Sequence, residues 1–491
     1  MSWTKTLRGI AAAGLAGAGG CAVGPDYRPS PAPVPSAWSS PVSNGLSDNA
    51  AESPSWWTSF HDPELDSLIQ RAVRSNLDVR VAEARLRQAR AVRGASAAGL
   101  WPTVDASGSY ARAKQSRNQP LIGALPLPPN FPFEYSVFNA GFDASWEADL
   151  FGGKRRALEA ATAEWESAAE ARNDARLSLL AEVARNYVEL RGGQLRMGIA
   201  RRNLKLQEET LGLTRARFQG GVANELDVTR AAGVLAGIRA SIPPLETAVL
   251  GSMNSLSVLL GQEPGGLVAE LSPSTPVPPA PPEIPIGLPS DLLRRRPDVR
   301  RAERQLAAET ARIGMAKADW FPKLSLTGDA GMESVSVGKW FEPGSLFWSL
   351  GPSLQWRALD FGRVRAEVQA QTAVQEAALA TYEKTVLVSL QEAENGIVAY
   401  AQEQNRHGAL SEEVAENRRS LDMASGLYAA GRVNFLDVLD AGRSLCQSQD
   451  QLAASDQAVA LDLIALYKAL GGGWEAPMSG PEEQSAFGPP R

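Results

Sequence analysis

Cysteine and histidine are scarce in this chain, with two of each in 491 residues. Cys21 closes a targeting-type segment, which leaves Cys446 without a partner, so no disulfide within the chain is expected. His61 and His407 are far apart. No Cys/His cluster has metal-ligand spacing, and there is neither a phosphate loop nor a nucleophile motif, so no catalytic site, metal or cofactor is expected. Basic charge is not in excess: the formal net charge is −6, which argues against a nucleic-acid binder. No run of about 20 apolar residues follows the first 20 positions, so no helical membrane span is expected in a mature chain. A hydrophobic content of 44% against 21% charged residues still requires a folded protein.

What is present begins with a signal. Lys5 and Arg8 precede a short run of small apolar residues up to Gly20, the layout of a secretory signal peptide over residues 1–20. Ala18-Gly19-Gly20-Cys21 resembles a bacterial lipobox. Cys21 would then carry N-acyl and S-diacylglycerol lipid, and several acyl chains anchor where one binds only marginally. A plain signal peptide with an incidental cysteine is the competing reading. Three stretches read as linkers: a lipid-anchored, Pro-rich N-terminal segment over 21–56, a Pro-rich linker over 263–288, and a loose C-terminal tail over 472–491.

Between them the chain repeats. Asp78-Val79-Arg80 recurs as Asp298-Val299-Arg300, a shift of 220, and Gly94 and Pro102 recur as Gly314 and Pro322. Further on the shift becomes 210: Trp146 pairs with Trp356, Phe151-Gly152 with Phe361-Gly362, and Leu226-Asp227-Val228 with Leu436-Asp437-Val438. This is one tandem duplication, 57–262 and 289–471, each copy reading as helix, β-hairpin and long helical hairpin.

Strands alternate with period two. Phe138, Ala140, Phe142, Ala144 and Trp146 share one face, and Asn139, Gly141, Asp143, Ser145 and Glu147 the other. The run is about as long as a membrane-spanning strand of roughly 9–11 residues. Trp and Tyr near strand ends fit interfacial belts. Pro352 suggests a bulge. A soluble sheet with one buried face patterns in the same way. Helices follow: Val183, Leu190, Met197, Leu204, Leu211 and Phe218 step by seven, with Ile199, Leu206 and Leu213 on a second face. Two seams suit a helix packed between two neighbours in a closed wall. This proline-free helix would measure roughly 90–100 Å, and an equal one is expected from Arg363 to Tyr428. Four strands cannot close a barrel, whose smallest membrane examples have about eight, so several chains must share one.

These residues resemble the outer-membrane efflux proteins, the TolC family, and most closely its lipoprotein branch of the OprM/NodT kind. The matching pieces are Cys21-Ala22-Val23-Gly24-Pro25-Asp26-Tyr27, Trp56-Trp57 with Phe60, Arg295-Arg296-Pro297-Asp298-Val299, Tyr428-Ala429-Ala430-Gly431 and Leu436-Asp437-Val438-Leu439-Asp440. The resemblance implies an α+β membrane protein, a homotrimer with a twelve-stranded β-barrel in the outer membrane and an α-helical tunnel in the periplasm. It implies a channel for drugs or other small molecules, coupled through a periplasmic adaptor to an inner-membrane pump of the RND type. Type I protein secretion and metal-ion efflux are alternative cargoes, and a structural periplasmic coiled-coil lipoprotein is a rival of another class. Lumen carboxylates would be Asp105, Asp143, Glu147, Asp149 and Asp329. The resemblance places an aperture gate at Asp437, Asp440 and Tyr428, with the family's basic partner falling on Val433 beside Arg432. Helix capping is the competing role for Asp437 and the expected one for Asp227. The adaptor would meet the turns Gly221, Val222, Ala223 and Gly431, Arg432, Val433. His407 is expected to pack or to face solvent.

Overall fold

The computed structural model describes residues 22–29, 34–47, 49, 55–116, 128 and 132–475. Cys21 and the tail beyond residue 475 lie outside the described residues. In chain order the main elements are α1 (Pro63–Ser75), α2 (Leu77–Ala98), β1 (Thr103–Lys114), β2 (Glu134–Ala148), α3 (Gly153–Gln219), α4 (Glu225–Leu259), α5 (Pro297–Ala318), β3 (Lys323–Ser334), β4 (Leu346–Gln355), α6 (Arg363–Ala429) and α7 (Phe435–Ala469). The duplication is metrical: α3 and α6 each have 67 residues, and α4 and α7 each have 35. Where α7 has Ala453-Ala454, α4 carries Pro243-Pro244 without ending.

Two compact units emerge. The first gathers the N-terminal residues to Ser30, Arg87–Glu166 and Glu303–Thr381. Its four strands form one antiparallel sheet in the order β1-β2-β3-β4, so the β2–β3 pairing joins the two repeats. Register places Asp105, Asp143, Asp329 and Ser349 in a single row across all four strands. The opposite face is apolar and exposed, with Phe142 at 62%, Leu350 at 69% and Trp348 at 73%. Among the described residues no further strand pairs with β1 or β4, and open sheet edges are not stable in lipid. Pro352 makes no bulge: it sits opposite Leu326 in unbroken register, on the edge strand where proline is tolerated. Matched tryptophans fasten the strand feet. Trp146 Nε1 donates to Leu100 O at 2.9 Å and Trp356 Nε1 to Trp320 O at 3.1 Å.

The second unit, Pro31–Leu86, Ser167–Ala302 and Tyr382–Arg491, holds the main hydrophobic core. Asp62 caps α1, accepting from Glu64 N at 2.9 Å, and Pro63 occupies the first helical turn, where its missing N–H costs nothing. The Trp56-Trp57/Phe60 motif is a buried 3₁₀ turn, with Trp56 stacked on Tyr467 at 5.1 Å. The Pro-rich stretches pack against this core. The Pro-rich stretch 263–288 is docked, because Leu267, Leu271, Ile284 and Ile286 stand among its prolines and are buried. Leu46–Ser47 of the Pro-rich N-terminal segment pairs in parallel with Ile284–Pro285. The start of the tail is fastened too: Gly472 O accepts from Trp56 Nε1 at 3.1 Å, and Trp474 Nε1 donates to Arg295 O at 2.9 Å.

Repeat-related residues close the ends of α4 and α7. Asn76 Nδ2 donates to Leu259 O at 2.9 Å, while Arg296 Nη1 donates to Ala469 O at 2.9 Å. Arg296 also holds Asp298 through two bonds of 3.0 and 2.7 Å, and Glu392 at 2.7 Å. The Arg-Pro-Asp-Val motif is therefore an ionic clasp around a buried guanidinium.

Candidate functional site

The two long hairpins turn at the same backbone geometry. Just past α3, Gly221 has φ of +72°, and just past α6, Gly431 has φ of +70°, a conformation that favours glycine. Val222 N donates to Arg217 O and Arg432 N to Leu427 O, both at 2.9 Å. Each return helix is capped by an asparagine: Asn224 accepts from Asp227 N at 2.9 Å and Asn434 from Asp437 N at 3.2 Å. Neither aspartate is the cap itself, which corrects the capping role expected of Asp227. Asp437 alone completes a capping box, its carboxylate accepting from Asn434 N at 3.2 Å.

Side chains separate the two turns. Tyr428, the residue equivalent to Phe218, packs at 5.5 Å on Phe435, and the Arg217 guanidinium lies 4.3 Å from the centre of the Tyr428 ring. A small core beneath them, built from Leu211, Leu235, Phe435 and Leu439, binds the two hairpins together. Tyr428 thus lies against a cation from the other repeat. Asp437 and Asp440 are both exposed on α7, and Arg443 stands 3.5 Å from Asp440 one turn on.

The structure brings Tyr428 and Phe435 together and leaves the two carboxylates in solvent in the single chain. The turn residues Gly221, Val222, Gly431 and Arg432 are exposed, and Ala223 and Val433 are half-buried. Arg217 and Arg443 were missed by motif reasoning. Their signal was their repeat partners, since Arg217 corresponds to Leu427 and Arg443 to Gly233. Among the described residues the cations beside Tyr428 and Asp440 are Arg217 and Arg443, both on helices and not in the turn.

Elsewhere, Asp149 departs from the expected lumen role. It lies past the end of β2 and accepts from Lys154 N at 3.2 Å and Arg155 N at 2.9 Å, holding the start of α3. His407 Nε2 lies 2.7 Å from Asp456 Oδ1. Cys446 is a half-buried free thiol whose pKa burial pushes up.

Known proteins share this architecture. The family described as outer membrane efflux protein matches residues 68–262 and 288–472. The probable efflux pump outer membrane protein TtgC of Pseudomonas putida strain KT2440 is 33% identical, over 99% of this chain and 100% of its own. Nodulation protein T of Rhizobium leguminosarum bv. viciae is 31% identical, over 95% of this chain and 93% of its own. The solved outer-membrane channel OprN superposes with a TM-score of 0.85 at 37% identity, covering 93% of this chain and 100% of that one. With four strands and two doubled helical hairpins in one duplicated chain, and relatives matched from end to end, this chain belongs to the outer membrane efflux proteins and is the outer-membrane channel component of an efflux system.

Proposed function

We propose that three copies of the chain close one twelve-stranded barrel and one helical tunnel, and that this trimer passively conducts drugs or other small molecules from a periplasmic pump to the exterior. The two free sheet edges support the trimer, because each β4 needs a β1 to pair with. The names of relatives support the cargo class: an antibiotic efflux pump outer membrane protein and a toluene efflux pump outer membrane protein of P. putida are each 33% identical. Energy comes from an inner-membrane pump of the RND type. A periplasmic adaptor protein couples it to the turns at Gly221–Ala223 and Gly431–Val433. Lipid on Cys21 adds a second hold on the membrane.

One observation carries the gate: the Arg217–Tyr428–Phe435 contact ties the second hairpin to the first, beside the exposed pair Asp437 and Asp440. Three copies of each carboxylate around an axis repel one another and favour cations. Contacts to the neighbouring hairpin then keep the aperture closed. Trimers in planar bilayers test this. A low resting conductance that rises in Tyr428→Ala is expected. A channel fully open at rest would remove the gate, and no conductance in any variant would remove the channel reading.

A further inference from the structure

The residues that follow Cys21 lie in a seat built for backbone contact. A Cβ on Gly152 would stand 2.6 Å from Ala22 Cα, and Gly152 has φ of +81°, so glycine is required on both counts. Gly24, with φ of +99°, rests on Gly314 of α5 so closely that a Cβ would stand 2.4 Å from Gly314 Cα. Val23 N donates to Phe151 O at 3.0 Å. The Arg156 side chain is only 4% exposed. It donates to Val23 O at 3.2 Å, Gly24 O at 3.5 Å, the Asp26 carboxylate at 2.6 Å and the Glu159 carboxylate at 2.7 Å. The Tyr27 hydroxyl donates to Glu303 at 3.0 Å.

The duplication supplies an internal control. Gly152, Arg156 and Gly314 correspond to Gly362, Ala366 and Gly94. Nothing lies within 4 Å of a Cβ placed on Gly362 or Gly94, and no guanidinium stands at Ala366. Among the described residues this seat therefore occurs once. It lies at the strand feet, where Phe151 stacks on Phe321 at 4.4 Å and Trp101 is 73% exposed. Aromatic residues at this position mark a membrane–water interface.

We infer that the seat locks the acylated N-terminus to the foot of the barrel, so that the lipid acts as a fixed strut on β2, α3 and α5 instead of a free tether. This rests on acylation of Cys21, whose Cα is bonded through the chain about 3.8 Å from that of Ala22. Arg156 is the positioning residue. Its buried charge is satisfied by Asp26, Glu159 and the carbonyls of the segment, and without it those groups lose their common donor.

A nitroxide label on Arg28→Cys, in a Cys446→Ser background of the full acylated chain, tests the seat. Alkyne-palmitate incorporation is read on the same samples. The label should be immobilised in the parent and several-fold faster in Arg156→Ala and in Val23→Pro. The latter removes the Val23 donor within the segment and leaves the body of the fold untouched. Gly94→Leu, at the open repeat-related position, should leave the label immobilised. A label already mobile in the parent, or unmoved by both variants, overturns the seat. Absence of palmitate from every sample overturns the Cys21 reading separately, and with it the strut, whatever the label reports.

Discussion

The two repeats share a backbone and differ in what they attach to it. Their long helices match in length, and both turns use a left-handed glycine and an asparagine cap. Departures fall at three levels. At the strand foot, the first repeat has the Arg156 seat where the second has Ala366. In the core, Asn76 and Arg296 close equivalent helix ends, one as a neutral amide and the other as a charged clasp. At the turns, the first repeat has Phe218 and Arg230 where the second has Tyr428 and Asp440. The two copies thus share one frame and differ in the contacts that their side chains make on it.

The core pair should break with the greatest effect. Arg296→Ala leaves the part-exposed Asp298 and the half-exposed Glu392 without their cation and Ala469 O without its donor, and losing charge-assisted bonds of this kind costs about 1.5–3 kcal/mol. Asn76→Ala at the equivalent position, where the amide oxygen also accepts from Asp78 N and Val79 N, should cost about 1–2 kcal/mol. Thermal denaturation of the purified protein, followed by helical circular dichroism, separates the two. The same clasp is sensitive to acid. Burial pushes the Asp298 carboxyl up, but the Arg296 guanidinium more than reverses this and holds it below its usual value. Its contribution is therefore complete above the unfolded pKa of about 4 and fades as pH falls through the lower folded value. Melts between pH 6 and pH 3 should show an acid loss in the parent that is smaller in Arg296→Ala.

The caps come next. Asn434→Ala should cost about 1 kcal/mol and release Asp437 from its box, and Asn224→Ala should cost a similar amount with no effect on conductance. Smallest is the tether across the repeats. Removing the half-exposed Arg217–Tyr428 contact is worth about 0.5–1 kcal/mol, roughly a two- to five-fold change in open fraction. Arg217→Ala should show it in single-channel recordings, whereas Leu427→Ala at the repeat-related position should not.

Much of this was legible because the signals were periodic. Alternation from Phe138 to Trp146 placed β2, and the absence of proline from Lys154 to Phe218 placed α3 within a residue at each end. Docking of the Pro-rich linker was not legible. Proline composition signals extended chain, and only packing reveals that Ile284 and Ile286 are anchors. The carboxylates of the candidate gate were readable from their motif. Arg217 was not, because its role depends on two helix ends far apart in sequence meeting at Tyr428. The Arg156 seat was hidden for the same reason, since Gly24 and Gly314 have no local pattern that pairs them.

The proposed gate assigns the aperture to the carboxylates Asp437 and Asp440 of the second repeat and not to their counterparts Asp227 and Arg230 in the first. Single-channel conductance of the Asp437→Ala/Asp440→Ala trimer, set against Asp227→Ala/Arg230→Ala, tests it most directly. The account predicts a raised resting conductance in the first variant and parental conductance in the second. Equal effects at both turns, or an effect only at the first, would contradict it.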